Sequence, residues 1–476
     1  MLDKITIFWF RQDLRISDNP GLVAAAENGL VMPIYIFEDK DSNTHSLGGA
    51  SKWWLYHSLT KLNKSLCKKL NVYIGNPKEI ILKIIKQHNV SSVYWNRCYE
   101  PYRIQIDSAI KKELTAINIE CKSFNGSLLW EPWDILKKDS TYYKVFTCFY
   151  RNGCLQAKAP RVPLPIPKKL NLLRDNCNKC TIEHFKLLSV IKWYKNIESV
   201  WQVGENVAQE KLVHFLNNYL SGYKEERNYP EQPHISKLSP HLHFGEISPN
   251  QVWYAAKNHD KFNKDLDHFL SEIGWREFSY YLLYHFPELP NQNFQSKFVK
   301  FPWRNNVKLL KAWQRGQTGY PFVDAGMREL WQTGYIHNRV RMVVGSFLVK
   351  NLLLHWRYGA EWFWDCLVDA DLANNSASWQ WVAGSGADAA PYFRIFNPVT
   401  QGEKFDKDGN YTRKFIPELK KLPNKYLFKP WEAPEEILKN AGILLGTTYP
   451  KPIVSIVGSR IKALDAYKTI SLNINN

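Results

Sequence analysis

Over the first 125 residues, short apolar runs alternate with longer amphipathic stretches. Ile5–Phe10 and Val31–Phe37 are rich in β-branched and aromatic residues, and Ser92–Trp95 and Ile119–Ser123 read alike. Runs of this length and composition predict strands. Between them Pro20–Asn28, Gly49–Leu70, Pro77–His88 and Tyr102–Thr115 carry helical spacing. Strands alternating with helices predict a doubly wound parallel sheet, an α/β domain. No GxGxxG follows the first strand, so the usual dinucleotide fingerprint is missing. Pro160–Pro167 has four prolines in eight residues and predicts an extended linker. From about residue 200 a 3.6-residue period dominates, over 205–220, 249–257, 265–286, 323–333, 335–355 and 360–367. That predicts an all-helical second domain. The expected division is 1–130 (α/β), 131–199 (connecting segment) and 200–476 (helical), without internal repeats or a low-complexity tail.

A chain of 476 residues is longer than one core supports, which agrees with more than one domain. Lys and Arg number 63 against 45 Asp and Glu, a net charge of +18 that favours a polyanionic partner, most simply nucleic acid. Many basic proteins bind no nucleic acid, so charge alone decides nothing. No apolar run reaches the roughly 18 residues of a membrane span, and Met1–Lys4 followed by a strand is not a signal peptide. The eight scattered cysteines then read as reduced thiols of a cytoplasmic protein. Cys177 and Cys180 form a lone CxxC with no second pair at zinc spacing, and no metal site is expected.

Nineteen tryptophans are more than packing requires. Indole is polarisable and oxidisable, so a row of indoles can pass an electron through a protein interior. Trp303, Trp356 and Trp379 are candidates; the plainer alternative is that each is an aromatic core anchor. In Phe269–Ser279, a helix would place Glu272, Trp275 and Ser279 on one face. A carboxylate beside an indole suits base recognition; a Glu272–Arg276 pair at i+4 is the structural alternative. In Gly334–Met342, Asn338 and Met342 share a helical face, as do His337 and Arg341. Arg suits phosphate and Met suits a flat ligand, while His337 by itself reads as a core histidine. Asp369 and Asp371 precede Asn374-Asn375, and a buried carboxylate there needs a partner such as Arg341; helix capping by Asp or Asn is the alternative. Ser236-Lys237-Leu238-Ser239, expected to precede a helix starting near Ser248, offers hydroxyls, amides and a cation suited to a pyrophosphate.

These stretches, in this order, resemble the photolyase/cryptochrome family over nearly the whole chain. The likeness opens at Phe10–Asn19 and is densest from Gly319 through Phe405. It implies an N-terminal α/β domain joined by a long linker to a helical C-terminal domain holding FAD. By position it implies a flavin grip of Tyr223, Ser236, Lys237, Leu238, Ser239, Arg276, Arg341, Asp369 and Asp371. Asn375, four residues before Trp379, matches the residue facing flavin N5, with Asn374 one residue away. The implied electron chain runs Trp379, Trp356, Trp303, and the implied lesion pocket uses Glu272, Trp275, Asn338, Met342 and Trp381, with Arg339 toward phosphate.

His337-Asn338 and Met342, where members that mend (6-4) products have histidines, resemble the pattern of cyclobutane dimer photolyases. Asn375 favours repair over signalling. The implied reaction is light-driven: excited reduced flavin lends an electron to the dimer, the ring splits and the electron returns. Photolyases are themselves among the enzymes known to take the target nucleotide out of the stack. UV-damaged DNA is then the partner, and the protein is expected to act as a monomer. At the folate position of one branch this chain has Tyr102-Arg103, while Asn96–Pro101 and Ser123–Trp133 are similar to the branch related to plant cryptochromes. A folate bound differently, a deazaflavin or no second antenna chromophore are the open alternatives. The other reading, a cryptochrome-type photoreceptor, is opposed by the lack of a long polar extension after the helical region.

Overall fold

The computed structural model describes residues 4–38, 46–259 and 263–472. It divides by contact into two compact units, Met1–Ser221 with Ser236–Pro287, and Gly222–Ile235 with Glu288–Asn476.

The first unit holds the sheet. Its elements run β1 (Ile5–Phe10), α1 (Pro20–Glu27), β2 (Leu30–Phe37), α2 (Gly49–Ser65), β3 (Asn71–Ile74), α3 (Pro77–Gln87), β4 (Val90–Asn96), α4 (Pro101–Ala116) and β5 (Glu120–Phe124). The strand order is β3-β2-β1-β4-β5 and every pairing is parallel, the doubly wound arrangement expected. All six residues of β1 are buried, which is why all but Thr6 are apolar, and Thr6 pairs its hydroxyl with that of Ser92 at 2.8 Å. Its core includes Ile7, Trp9, Ile34, Val93 and Trp95. Asparagines start the helices as capping chemistry requires: Asn19 accepts from Leu22 N–H at 3.0 Å, and Asn76 from Lys78 N–H at 2.9 Å, each with proline next.

Two strands were not anticipated. Asn71–Ile74 is only four residues long and follows directly on the helical pattern drawn through Leu70. The helix ends at Ser65 instead, because Cys67 and Lys68 turn left-handed at φ 51° and 62°. The other, β6 (Asn171–Leu172), pairs with Leu30 and Val31 of β2. Pro33 lies between those residues and the Ile34–Phe37 stretch that pairs with β3, where the outer ladder is already interrupted. The proline-rich segment is extended, as expected, but it is docked: Leu164 N–H donates to Asp18 Oδ1 at 2.8 Å, and Tyr254 Oη–H to Pro160 O at 2.7 Å. Helices α5 (Glu205–Tyr219), α6 (Pro249–His259) and α7 (Lys264–His285) belong to this unit as well.

The second unit is helical, with α8 (Pro321–Thr333), α9 (Asn338–Ser346), α10 (Trp356–Cys366), α11 (Leu372–Ala383) and α12 (Ile456–Leu472) among its elements. Its core gathers Trp313, Phe347, Trp356, Phe363 and Trp379. The stretch 335–355 is not one helix. His337 caps α9, a π-helical turn occupies Phe347–Asn351, and Leu353 sits at φ 58° before α10 begins. Every residue from Val343 to Leu354 is buried, so the largely apolar sequence there has no polar face whose shift would mark the π turn. Among the described residues no helix is long and apolar enough to cross a membrane.

Helices α10 and α11 approach at Gly359, where an added Cβ would lie 2.0 Å from Cη2 of Trp379. Alanine in a helix ordinarily stabilises by about 1 kcal/mol over glycine. Gly359→Ala is expected to do the reverse, losing about 1–3 kcal/mol through overpacking, read as a lower melting temperature by circular dichroism.

Candidate functional site

Within the helical unit the densest chemistry lies where α9 faces the start of α11. Arg341 reaches Asp369 with Nη2 at 2.9 and 3.1 Å from the two carboxylate oxygens, and its Nε donates to Ile336 O at 2.7 Å. The guanidinium is also 5.3 Å from the Tyr335 ring. The neighbouring carboxylate holds the arginine's pKa above its ordinary value against the opposing effect of burial. Asp371, buried, is the N-cap of α11, and its Oδ1 accepts from Asn374 N–H at 2.9 Å and Asn374 Nδ2 at 2.8 Å. The capping role and the ion-pair role are therefore shared between the two aspartates. Asn374 is thereby committed to the cap, whereas Asn375 donates to Ala360 O at 3.0 Å. Asp371, Asn375 and Trp379 follow at four-residue spacing and form one stripe on the helix.

The three tryptophans share this unit. Trp379 packs edge-on against Phe363 at 5.0 Å and Trp313 at 6.2 Å between ring centroids. Trp356 is buried, and its Nε1 donates to Asn293 Oδ1 at 2.9 Å. Trp303 is half-buried, with Phe301 at 4.4 Å. Asn293, Phe363 and Trp313 were not singled out from sequence, since nothing in their local pattern distinguishes them from core or loop residues. Gln380 was missed too: its Nε2 donates to Leu289 O and Gln292 O and its Oε1 accepts from Phe294 N–H, clamping the loop that supplies Asn293.

On α9, Asn338 is exposed and Met342, one turn on, is half-buried. Arg339 bonds Asn228 Oδ1 and lies 4.4 Å from the Phe405 ring. His337 is a buried cap accepting from Arg339 N–H at 3.2 Å; burial, then Arg227, Arg339 and Arg341, push its pKa down to about 3. It is a neutral structural histidine, as its sequence reading favoured. Trp381 is half-buried two residues past Trp379, and Tyr223 is buried at the first position of the short helix Tyr223–Glu226.

The sheet-bearing unit carries the remaining candidates. Ser236 is half-buried, Lys237 and Ser239 are exposed, and Leu238 is buried. Lys237 has φ 52°, and Ser239 opens a short helix, Ser239–His243, that was not anticipated; α6 follows at Pro249, close to the start expected near Ser248. On α7, Glu272 Oε1 is 3.7 Å from His268 Nε2, and Arg276 turns instead to Ser127 O at 2.8 Å and Glu277 Oε1 at 3.1 Å. The Glu272–Arg276 alternative is thus not what the helix adopts. Trp275 stacks on Phe146 at 3.8 Å and 12°. Glu277, buried, has its pKa pushed up to about 7, burial outweighing Arg276 and two backbone donors.

The donor sets match a dinucleotide flavin by kind. Carboxylates and an amide at the head of α11 suit the hydrogen-bonding edge of the ring and sugar hydroxyls; serine hydroxyls with Lys237 suit phosphates. Residues 6–168 match the family model described as DNA photolyase, and residues 269–469 the one described as FAD binding domain of DNA photolyase. The chain is 48% identical over 471 residues to the deoxyribodipyrimidine photo-lyase of Agrobacterium fabrum, covering 98% of each chain. It is 38% identical to Cryptochrome-2 of Arabidopsis thaliana, over 96% of this chain and 78% of that one. The crystal structure of a bacterial class III photolyase from Agrobacterium tumefaciens superposes with a TM-score of 0.95 at 47% identity, covering 99% of this chain and 98% of that one. The chain belongs to the DNA photolyase family, with the α/β and helical FAD-binding parts that its sequence implied.

Removing Asp369 would leave the Arg341 guanidinium as a largely buried charge without its carboxylate partner. Asp369→Ala is expected to cost about 3 kcal/mol of folding free energy, the low end for a broken buried pair, since Arg341 is 26% exposed. Chemical denaturation of the purified variant measures it.

Proposed function

We propose that this protein is a light-dependent lyase that splits cyclobutane pyrimidine dimers in DNA. One observation carries the reading: a photolyase matches the chain end to end at 48% identity, above the 38% of the plant cryptochrome. FAD, when bound and reduced, supplies the photoexcited electron that opens the dimer's cyclobutane ring and accepts it back. Tyr223, Ser236, Lys237, Leu238, Ser239, Arg276, Arg341, Asp369 and Asp371 hold the cofactor, with Asn375 at the flavin N5 edge. Glu272, Trp275, Asn338, Met342 and Trp381 receive the flipped dimer, and Arg339 its phosphate.

Trp379, Trp356 and Trp303 return the flavin to its reduced state by relaying electrons inward. The +18 charge serves the DNA backbone, so affinity for damaged DNA falls as salt rises. The protein acts in the cytoplasm as a monomer, and by chain order the divisions at residues 130 and 199 mark off a sheet-bearing region, a connecting segment and a helical region whose first helices, α5, α6 and α7, pack within the sheet-bearing unit. A cryptochrome-type photoreceptor is the weaker alternative, resting on the 38% relative.

The decisive test is repair of a defined thymine-dimer oligonucleotide by purified, reduced protein under blue light and in darkness. Restoration of thymines in light alone is expected; no repair in light would overturn the reading in favour of the photoreceptor. Trp356→Phe is expected to abolish photoreduction of the oxidised flavin, followed by absorbance, while repair by chemically reduced enzyme persists. Glu272→Ala is expected to lower repair while retaining FAD; loss of the flavin instead would give Glu272 a structural role.

A further inference from the structure

His355 stands between two of the tryptophans. Its ring centroid lies 5.2 Å from that of Trp303, at 63°, and 5.5 Å from that of Trp356, at 31°. Among the described residues no direct ring contact joins Trp303 to Trp356. The backbone fixes the imidazole from both sides. Arg304 N–H donates to Leu353 O at 2.8 Å, and Arg304 forms an isolated parallel bridge with Leu354, so the extended segment carrying Trp303 is tied to the residues just before His355. Leu353 at φ 58° turns the chain out of the π-helical stretch into that position. On the other side His355 is the N-cap of α10, with Nδ1 accepting from Arg357 N–H at 3.1 Å. Trp356 Nε1 is already committed to Asn293.

We propose that His355 is a positioning residue of the electron relay, an aromatic bridge that couples Trp356 to Trp303. The inference rests on the photoreduction reading above. The step it serves is one-electron and balanced: Trp303 gives up an electron, Trp356, oxidised through the chain, regains one, and the oxidant at the head of the chain is the photoexcited, oxidised flavin. Imidazole is harder to oxidise than indole, so the ring mediates the transfer rather than holding the charge. The tautomer suits this role. With Nδ1 accepting from the helix, the neutral ring carries its proton on Nε2 and has no free acceptor for a proton from either indole. Burial and then Arg357 push its pKa down to about 4, so no imidazolium opposes a positive charge on the neighbouring rings.

Two substitutions separate bridging from capping. His355→Asn keeps a good N-cap and removes the aromatic ring; His355→Phe keeps a ring and loses the cap. Each is made in the FAD-loaded protein and followed by transient absorption of the tryptophan radicals after a laser flash, with thermal melting in parallel. The expected result is several-fold slower transfer from Trp303 to oxidised Trp356 in His355→Asn at near-normal melting temperature. In His355→Phe the rate should stay close to normal despite a lower melting temperature. Unaltered kinetics in His355→Asn, or equal slowing in both variants, would overturn the bridge. Trp303→Phe is the control for the reading beneath it: unchanged photoreduction there would remove the relay itself, whatever the His355 variants do.

Discussion

The helical unit is organised around the pairing of Arg341 with Asp369. The carboxylate is only 5% exposed, so its charge is tolerable only because the guanidinium meets it. That pairing joins α9 to the turn that launches α11. Two residues on, Asp371 closes the cap, and once the cap is set the phase of α11 is set. Asn375 and Trp379 then fall on one stripe by the helical repeat alone. The position of the amide and of the first tryptophan is thus a consequence of an ion pair one and more turns away. Gly359 completes the arrangement from the other helix, since any side chain there would occupy the space of the Trp379 ring.

Much of this was legible in the sequence, and the reason differs by part. The parallel sheet declared itself because strands buried on both faces need largely apolar runs, and β1 and β2 have them over most of their length, while β4 has one from Val93 to Trp95. The short β3 did not, since four residues beside a longer helical pattern carry too little signal. The π turn at Phe347–Asn351 was invisible for the opposite reason: all its residues are buried, so no polar face marks the change in backbone hydrogen bonding. At the site, the Arg341–Asp369 partnership followed from the need to pair a buried carboxylate. The choice between Asn374 and Asn375 could not follow from local chemistry, because two adjacent amides are equivalent until the cap claims one of them. Long-range partners such as Asn293 for Trp356 depend on which loop Gln380 clamps, and no local pattern encodes that.

The two helix-capping histidines are not suited to acid–base catalysis. His337 and His355 are both held neutral well below the ordinary histidine range, and each spends Nδ1 on capping a helix. A general base would need a pKa near the working pH and a free acceptor atom, and neither histidine offers both. Their value is electrostatic and steric: each caps a helix without adding a charge, and the His355 ring does so in contact with Trp303 and Trp356.

That neutrality constrains how an electron relay can be built in this core. A charged residue between two tryptophans would move the potential of both, by an amount that grows as the local dielectric falls. A purely aliphatic filler would leave the potentials alone but give poor electronic coupling. A half-buried imidazole kept unprotonated meets both requirements, and the fold keeps it so by two independent means, partial burial and a helix N-terminus whose N–H occupies the ring's acceptor nitrogen. The same N-terminus would repel an added proton through its dipole. The cap and the bridge are therefore one device, in which the start of α10 sets both the orientation and the charge state of the ring that faces Trp303.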